Sequence, residues 1–162
     1  MYASGEDHTP ERLTAAESAL SAAEQLKPDS PETHLARATH LYYGLRDYEG
    51  AQAQLDIVAR GLPNDSRIPE LKGYIARRKR NAEEGLRLLK QATTLDPRNT
   101  TLLNQIAQSY QQLRHYAEEA EAYDRALQIK PDDLFFRVFR TIVDWHGHAD
   151  PLRCVRWSSR CD

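Results

Sequence analysis

Four side chains able to hold an anion, Arg67, Tyr74, Arg77 and Arg78, fall together with Glu70, in chain order Arg67, Glu70, Tyr74, Arg77 and Arg78, at offsets of 0, 3, 7, 10 and 11. On a helix these offsets make one stripe. Guanidinium groups there would take carboxylates through paired, charge-assisted hydrogen bonds. The run Arg77-Arg78-Lys79-Arg80 equally suits a helix C-terminus, where each cation meets the macrodipole for about 0.3–1 kcal/mol. His146, His148 and Asp150 offer two imidazoles and a carboxylate to a transition metal. No further ligand is recognisable beside them, so a solvated turn is expected and no metal site is assigned. The seven glycines are scattered and build neither a phosphate nor a dinucleotide loop. No nucleophile with a base has a recognisable pattern, so the expectation is a protein with no catalytic residue and no cofactor.

The 162 residues include 22 Lys and Arg against 24 Asp and Glu, a formal net charge of −2. That balance removes the long-range cationic field of a general nucleic-acid binder, so any anion site must be local. The length and the 40% hydrophobic content predict one compact unit held by apolar packing. No run approaches the ~20 apolar residues of a membrane span, and Met1-Tyr-Ala-Ser-Gly-Glu-Asp-His lacks the basic and then apolar regions of a signal peptide. A cytoplasmic location is the default. Cys154 and Cys161 match neither a zinc pattern nor a disulfide framework.

The elements that must position these side chains are marked by prolines. Pro28-Asp29, Pro63-Asn64-Asp65, Pro97-Arg98-Asn99 and Pro131-Asp132-Asp133 are spaced 35, 34 and 34 residues apart. Each proline ends a helix, and the polar residues beyond it can cap the next. Before each proline, apolar or small residues recur in steps of three and four: Ala16, Leu20, Ala23 and Leu26; Ala51, Leu55 and Val58; Gly85, Leu89, Ala92 and Leu95. The last such segment keeps Tyr123, Ala126 and Ile129 but carries Glu119 where the others have Ala or Gly. A second helical pattern follows each proline, as in Leu35, Ala38, Tyr42 and Leu45 or Leu103, Ile106, Tyr110 and Leu113. Tight turns near residues 46–48, 80–82 and 114–116 then require antiparallel helix pairs. Tyr42, Tyr48, Tyr110, Tyr116 and Tyr123 recur at positions that face neighbouring helices, so packing is their first expected role.

A helix pair repeating every 34 residues resembles the tetratricopeptide repeat family. The best copy has Leu35, Ala38, Thr39, Tyr42, Ala51, Leu55, Val58 and Pro63 on the family pattern, and 100–133 is nearly as good. The copy at 66–99 keeps Gly73, but its apolar trio of Ile68, Leu71 and Ile75 falls one residue early. Pentatricopeptide repeats, which bind single-stranded RNA, are the nearest rival; two 34-residue periods and the acidic net charge favour the former. The resemblance implies an all-α, right-handed superhelical solenoid of antiparallel helix pairs. The expected organisation is a flexible terminus at 1–8, a helix at 9–27, repeats at about 32–65, 66–99 and 100–133, a helix at 134–146 and a tail at 147–162. Both ends are then half-repeats. An uncapped solenoid end exposes surface meant for a neighbour, so self-association through Phe135, Phe136 and Phe139 is expected.

In this family the first helix of each pair lines a concave groove. By resemblance, the expected groove contacts are His40 and Tyr43, then Arg67, Tyr74, Arg77 and Arg78, and then Asn104, Gln108 and Gln111. Lys and Asn positions that clamp a chaperone's C-terminal carboxylate in some members are held here by Ala36 and His40, which argues against that clamp. Cationic and amide side chains in one groove suit an extended acidic peptide. The expected function is therefore peptide binding by a scaffold or regulatory segment of a larger, bacterial protein. Single-stranded RNA binding, with bases on Tyr43 or Tyr74, and an empty structural spacer are the alternatives.

Overall fold

The computed structural model describes residues 9–149, and every regular element among them is helical. They are α1 (Pro10–Leu26), α2 (Pro31–His40), a π-helical turn (Leu41–Leu45), α3 (Tyr48–Gly61), α4 (Arg67–Arg78), α5 (Ala82–Leu95), α6 (Thr100–Gln112), α7 (Tyr116–Ile129) and α8 (Leu134–Ala149). Helix α8 thus runs past the expected end at 146. The helix starts follow from local chemistry. Thr9 and Ser30 accept hydrogen bonds from Arg12 N and Thr33 N with Pro10 and Pro31 opening the helices, while Asn99 Oδ1 accepts from Thr101 N and Leu102 N.

The chain divides into two compact units, 1–81 and 82–162, rather than the single unit expected. Repeat architectures allow this, because each repeat packs only on its neighbours. In the N-terminal unit α2 and α3 form a hairpin flanked by α1 and α4. Its core is Leu35, Ala38, Tyr42, Ala51, Leu55 and Val58, with Leu55 and Val58 fully enclosed. Ion pairs tie the flanks on: Arg37 to Glu24 of α1 at 2.7 Å, and Lys72 of α4 to Asp56 of α3 at 2.6 Å. In the C-terminal unit α6 and α7 pair, with α5 against α6 and α8 against α7 around Leu89, Leu102, Leu103, Ile106, Tyr123 and Ala126.

The expected columns are buried at Leu35, Ala38, Tyr42, Ala51, Leu55, Val58, Leu89 and Ala92, whereas no residue of α1 is buried and Leu26 and Leu95 are 82% and 39% exposed. Ile68, Leu71 and Ile75 are buried as the early register of 66–80 requires, and Tyr74 and Ala76 join them. Leu45 is 57% exposed although it continues the α2 pattern, because the π-helical turn rotates it off the packing face. That turn also explains the one irregular spacing. Pro28 lies 18 residues before Arg46, whereas Pro63 and Pro97 lie 17 before Arg80 and Arg114. The extra residue is absorbed as a widened turn of helix, and Arg46 keeps its place in the repeat.

Arg46, Arg80 and Arg114 are the described non-glycine residues with positive φ, at 55°, 62° and 58°. Each ends the first helix of its pair in the left-handed conformation that lets following N–H groups reach back to the last helical carbonyls. Asn81 N donates to Ala76 O and His115 N to Tyr110 O, each at 2.9 Å. Glycine or asparagine is the ordinary occupant there, and an L side chain costs about 1 kcal/mol.

Candidate functional site

The nine expected contacts divide between the two units. In the N-terminal unit the π-helical turn carries Tyr42 and Tyr43, whose rings meet edge to face at 4.7 Å. Tyr42 also lies 6.1 Å from Tyr74 of α4 and 5.6 Å from Tyr48 of α3, so it forms the centre of an aromatic cluster. Tyr43 is half-buried, and burial, with Tyr42 and Glu70 adding, pushes its phenol up to about 12. Tyr74 is only 9% exposed and donates its hydroxyl to Glu70 Oε1 at 2.6 Å. Desolvation and the Glu70 charge hold that phenol protonated far above its usual range. Tyr74 is therefore a wall residue whose hydrogen is already committed.

The arginines separate into three environments. Arg67 is exposed but closed on its own N-terminal turn: its Nε donates to Asp65 Oδ1 at 2.9 Å, and Asp65 Oδ1 also accepts from Arg67 N. The pair lowers the Asp65 pKa and raises that of Arg67. Arg77, ten residues along α4 and about 15 Å away by helical rise, is half-buried, and desolvation lowers its pKa. Arg78 is exposed, with Nε 3.5 Å from the Tyr42 hydroxyl. The structure thus gathers Tyr43, Tyr74, Arg77 and Arg78 around Tyr42 and leaves Arg67 at the far end of α4. His40 is buried; its Nε2 lies 3.9 Å from a Glu17 carboxylate oxygen of α1. Gly44 permits that fit, since a Cβ there would stand 3.1 Å from the His40 ring.

Asn104, Gln108 and Gln111 lie on α6 in the C-terminal unit and are half-buried. Asn104 Oδ1 is enclosed without a hydrogen-bond partner. That unit also holds two features outside the expected set. A cleft of ≈ 400 Å³ among α5, α6 and α7 is lined by Lys90, Thr93, Pro97, Ile106, Tyr110 and Ala122, with Lys90 Nζ 5.1 Å above the Tyr110 ring. Tyr110 therefore walls a cleft instead of filling the core. Glu119 of α7 is 1% exposed, its Oε2 has no partner, and burial pushes its carboxyl up to about 7. Its only advance signal was its place in a column of Ala and Gly.

The expected self-association trio is divided. Phe136 is buried against Tyr123, 6.3 Å between ring centres, and Phe139 lies 6.0 Å from the same ring. Phe135 is 44% exposed, and the outer face of α8 is completed by Leu134, Val138 and Trp145. Among the described residues no cluster of three metal-ligating side chains occurs, and no helix is long and apolar enough to cross a membrane. The His146, His148 and Asp150 side chains and both cysteines lie outside the described side chains.

A tetratricopeptide repeat family model matches residues 100–133, the α6–α7 hairpin and its flanking turns. No curated protein matches the chain. Among solved structures, the chain is similar to one described as the first TPR of Spaghetti (RPAP3) bound to HSP90 peptide SRMEEVD. That likeness has a TM-score of 0.65 at 12% identity and covers 74% of this chain and 96% of that one. A crystal structure of MamA gives 0.63 at 14% identity, covering 90% and 92%. The MamA RS-1 ArsTM double mutant gives 0.68 at 17%, covering 91% and 84%. At these identities the likeness concerns the fold. The family match thus identifies one tetratricopeptide repeat at 100–133, and the repeated hairpins of the chain share the fold of these structures.

Proposed function

We propose that this protein is a non-catalytic interaction module that binds an extended, acidic segment of a partner protein. The observation that carries the reading is the meeting of Arg77 and Arg78 with Tyr42, Tyr43 and Tyr74 at one end of α4. Such a surface offers cations for carboxylates and aromatic faces for the aliphatic parts of the same peptide. Helices hold these groups before the partner arrives, so most of the ordering cost falls on the peptide alone. The similar RPAP3 structure binds the acidic peptide SRMEEVD, which lends support to this ligand class. With Ala36 and His40 at the clamp positions, and His40 buried, recognition here would use carboxylates within the segment rather than a chain end.

Fluorescence anisotropy tests this with two labelled peptides, SRMEEVD and a version with each Glu and Asp replaced by Gln and Asn. Preference for the acidic peptide that weakens from about 50 to about 200 mM salt is expected. Equal affinity for the two would remove the acidic-ligand reading. Stronger binding of a single-stranded RNA than of either peptide would favour the nucleic-acid alternative.

A second reading, self-association, rests on the outer face of α8. Phe135, Val138, Ile142 and Trp145 follow a 3-4-3 spacing, the seam by which helices pair, and Phe135, Val138 and Trp145 are 44%, 54% and 70% exposed. Light scattering across a wide concentration range should show growth in mass; a constant monomer mass would remove it.

A further inference from the structure

The left-handed arginines point to a docking edge at the hairpin turns that adjoins the C-terminal end of α4. Arg46 and Arg80 occupy, one repeat apart, the turn position that glycine fits without strain. The first repeat carries an extra residue and still delivers Arg46 to that position, because the π-helical turn takes up the insertion. Local rules broken at the same place in successive repeats are where function is expected to outweigh stability. Neither guanidinium has a partner: both residues are exposed and make no ion pair with the described residues.

Two contacts bring these turns to one edge of the N-terminal unit. Lys79 Nζ meets Glu49 Oε1 at 2.7 Å, joining the end of α4 to the start of α3, and Arg78 Nε approaches the Tyr42 hydroxyl of the π-helical turn. Of the acids beside the edge, Glu49 is paired with Lys79, and Asp47, whose Oδ1 accepts from Gly50 N as the cap of α3, offsets one of the three guanidiniums. Arg46, Arg78 and Arg80 are therefore a local excess of positive charge on a chain whose net charge is −2.

We propose that Arg46, Arg78 and Arg80 form a basic docking edge that takes successive carboxylates of an acidic protein segment. This rests on the acidic-peptide reading above, keeps Arg78, and replaces Arg67 and Arg77 by Arg46 and Arg80 of the hairpin turns as the other charged contacts. Three guanidiniums over a short edge match a few Glu or Asp side chains. The acidic balance of the chain disfavours a long polyanion such as RNA.

The test uses a fluorescein-labelled hexaglutamate peptide at about 50 mM salt, where surface charge is least screened. The protein is compared with Arg46→Gly/Arg80→Gly, with Arg67→Gln/Arg77→Gln, and with Arg98→Gly, which removes an exposed charge from the turn before α6. Urea denaturation is followed on the same samples. Glycine relieves the left-handed backbone, so the first variant should keep or raise its midpoint while binding hexaglutamate about tenfold more weakly, the loss of one or two charge-assisted contacts. Arg98→Gly should bind as the parent does. Undiminished binding by Arg46→Gly/Arg80→Gly, with loss confined to Arg67→Gln/Arg77→Gln, would overturn the edge and leave the acidic-peptide reading standing. No binding of hexaglutamate by the parent would overturn both. Tighter binding of a single-stranded RNA that depends on Arg46 and Arg80 would reassign the edge and overturn the peptide proposal.

Discussion

Glu119 should contribute more to stability in mild acid than at neutral pH. Its carboxyl is 1% exposed, has no cation beside it, and leaves Oε2 without a hydrogen-bond partner. Burial raises its pKa from 4.5 in the unfolded chain to about 7 in the folded one. Between those values the folded state holds one more proton than the unfolded state, so stability falls as pH rises, by about 1.36 kcal/mol per pH unit. The whole span costs about 3 kcal/mol, complete once pH has passed the folded value. Neighbouring Tyr123, 1% exposed and pushed up to about 12 by burial and the Glu119 charge, stays neutral throughout. Glu119→Met keeps the volume, removes the ionisable group and leaves no orphaned polar atom, so it should stabilise the C-terminal unit by up to about 3 kcal/mol at pH 8 and by little at pH 4.5. Glu119→Gln should flatten the same pH dependence with a smaller gain, because its buried amide needs partners it does not have. Urea titrations followed by circular dichroism from pH 4.5 to 8 measure both. The quantity to read is the difference between parent and variant profiles, from which contributions common to both cancel. A difference that does not change with pH, or a Glu119→Met variant less stable than the parent at pH 8, would refute the reasoning.

Arg114→Gly should stabilise the C-terminal unit by about 1 kcal/mol, because Arg114 sits at φ 58° in the turn between α6 and α7; a loss in the urea midpoint would contradict the strain assigned to that turn. Leu55→Ala, at a fully enclosed position of the α2–α3 hairpin, should cost about 2–5 kcal/mol in thermal or urea unfolding, and a cost below about 1 kcal/mol would mean that the hairpin core is looser than described. Val138→Glu, on the outer face of α8 where the side chain is 54% exposed, should abolish concentration-dependent growth in mass by light scattering while leaving the melting curve unchanged.

Much of this fold was legible in the sequence because its signals are local. Proline fixes its own φ and removes a donor, Thr9, Ser30 and Asn99 cap helices that begin one residue later, and steps of three and four choose the buried face of each helix. The early register of Ile68, Leu71 and Ile75 was legible for the same reason, and it accounts for Arg78 lying exposed while Arg77 is half-buried. The candidate site was less legible, because a charge has a different meaning once its partner is known. Arg67 and Arg78 look alike on a helical stripe, yet one is closed on Asp65 and the other lies against the Tyr42 hydroxyl. His40 sits one turn from Tyr43 and Gly44, but the packing of α1 over that turn buries it.

The sequence by itself determined where helices start and stop and how they pair within a repeat, since each follows from neighbours a few residues apart. Only the tertiary structure decided which arginines keep free charge, which phenylalanines of α8 face outward, that the inserted residue before Arg46 becomes a π-helical turn, and that Glu119 is enclosed with no partner. Those outcomes depend on groups distant in sequence meeting in space, where burial and pairing set the energy of a charge and a residue's type alone does not.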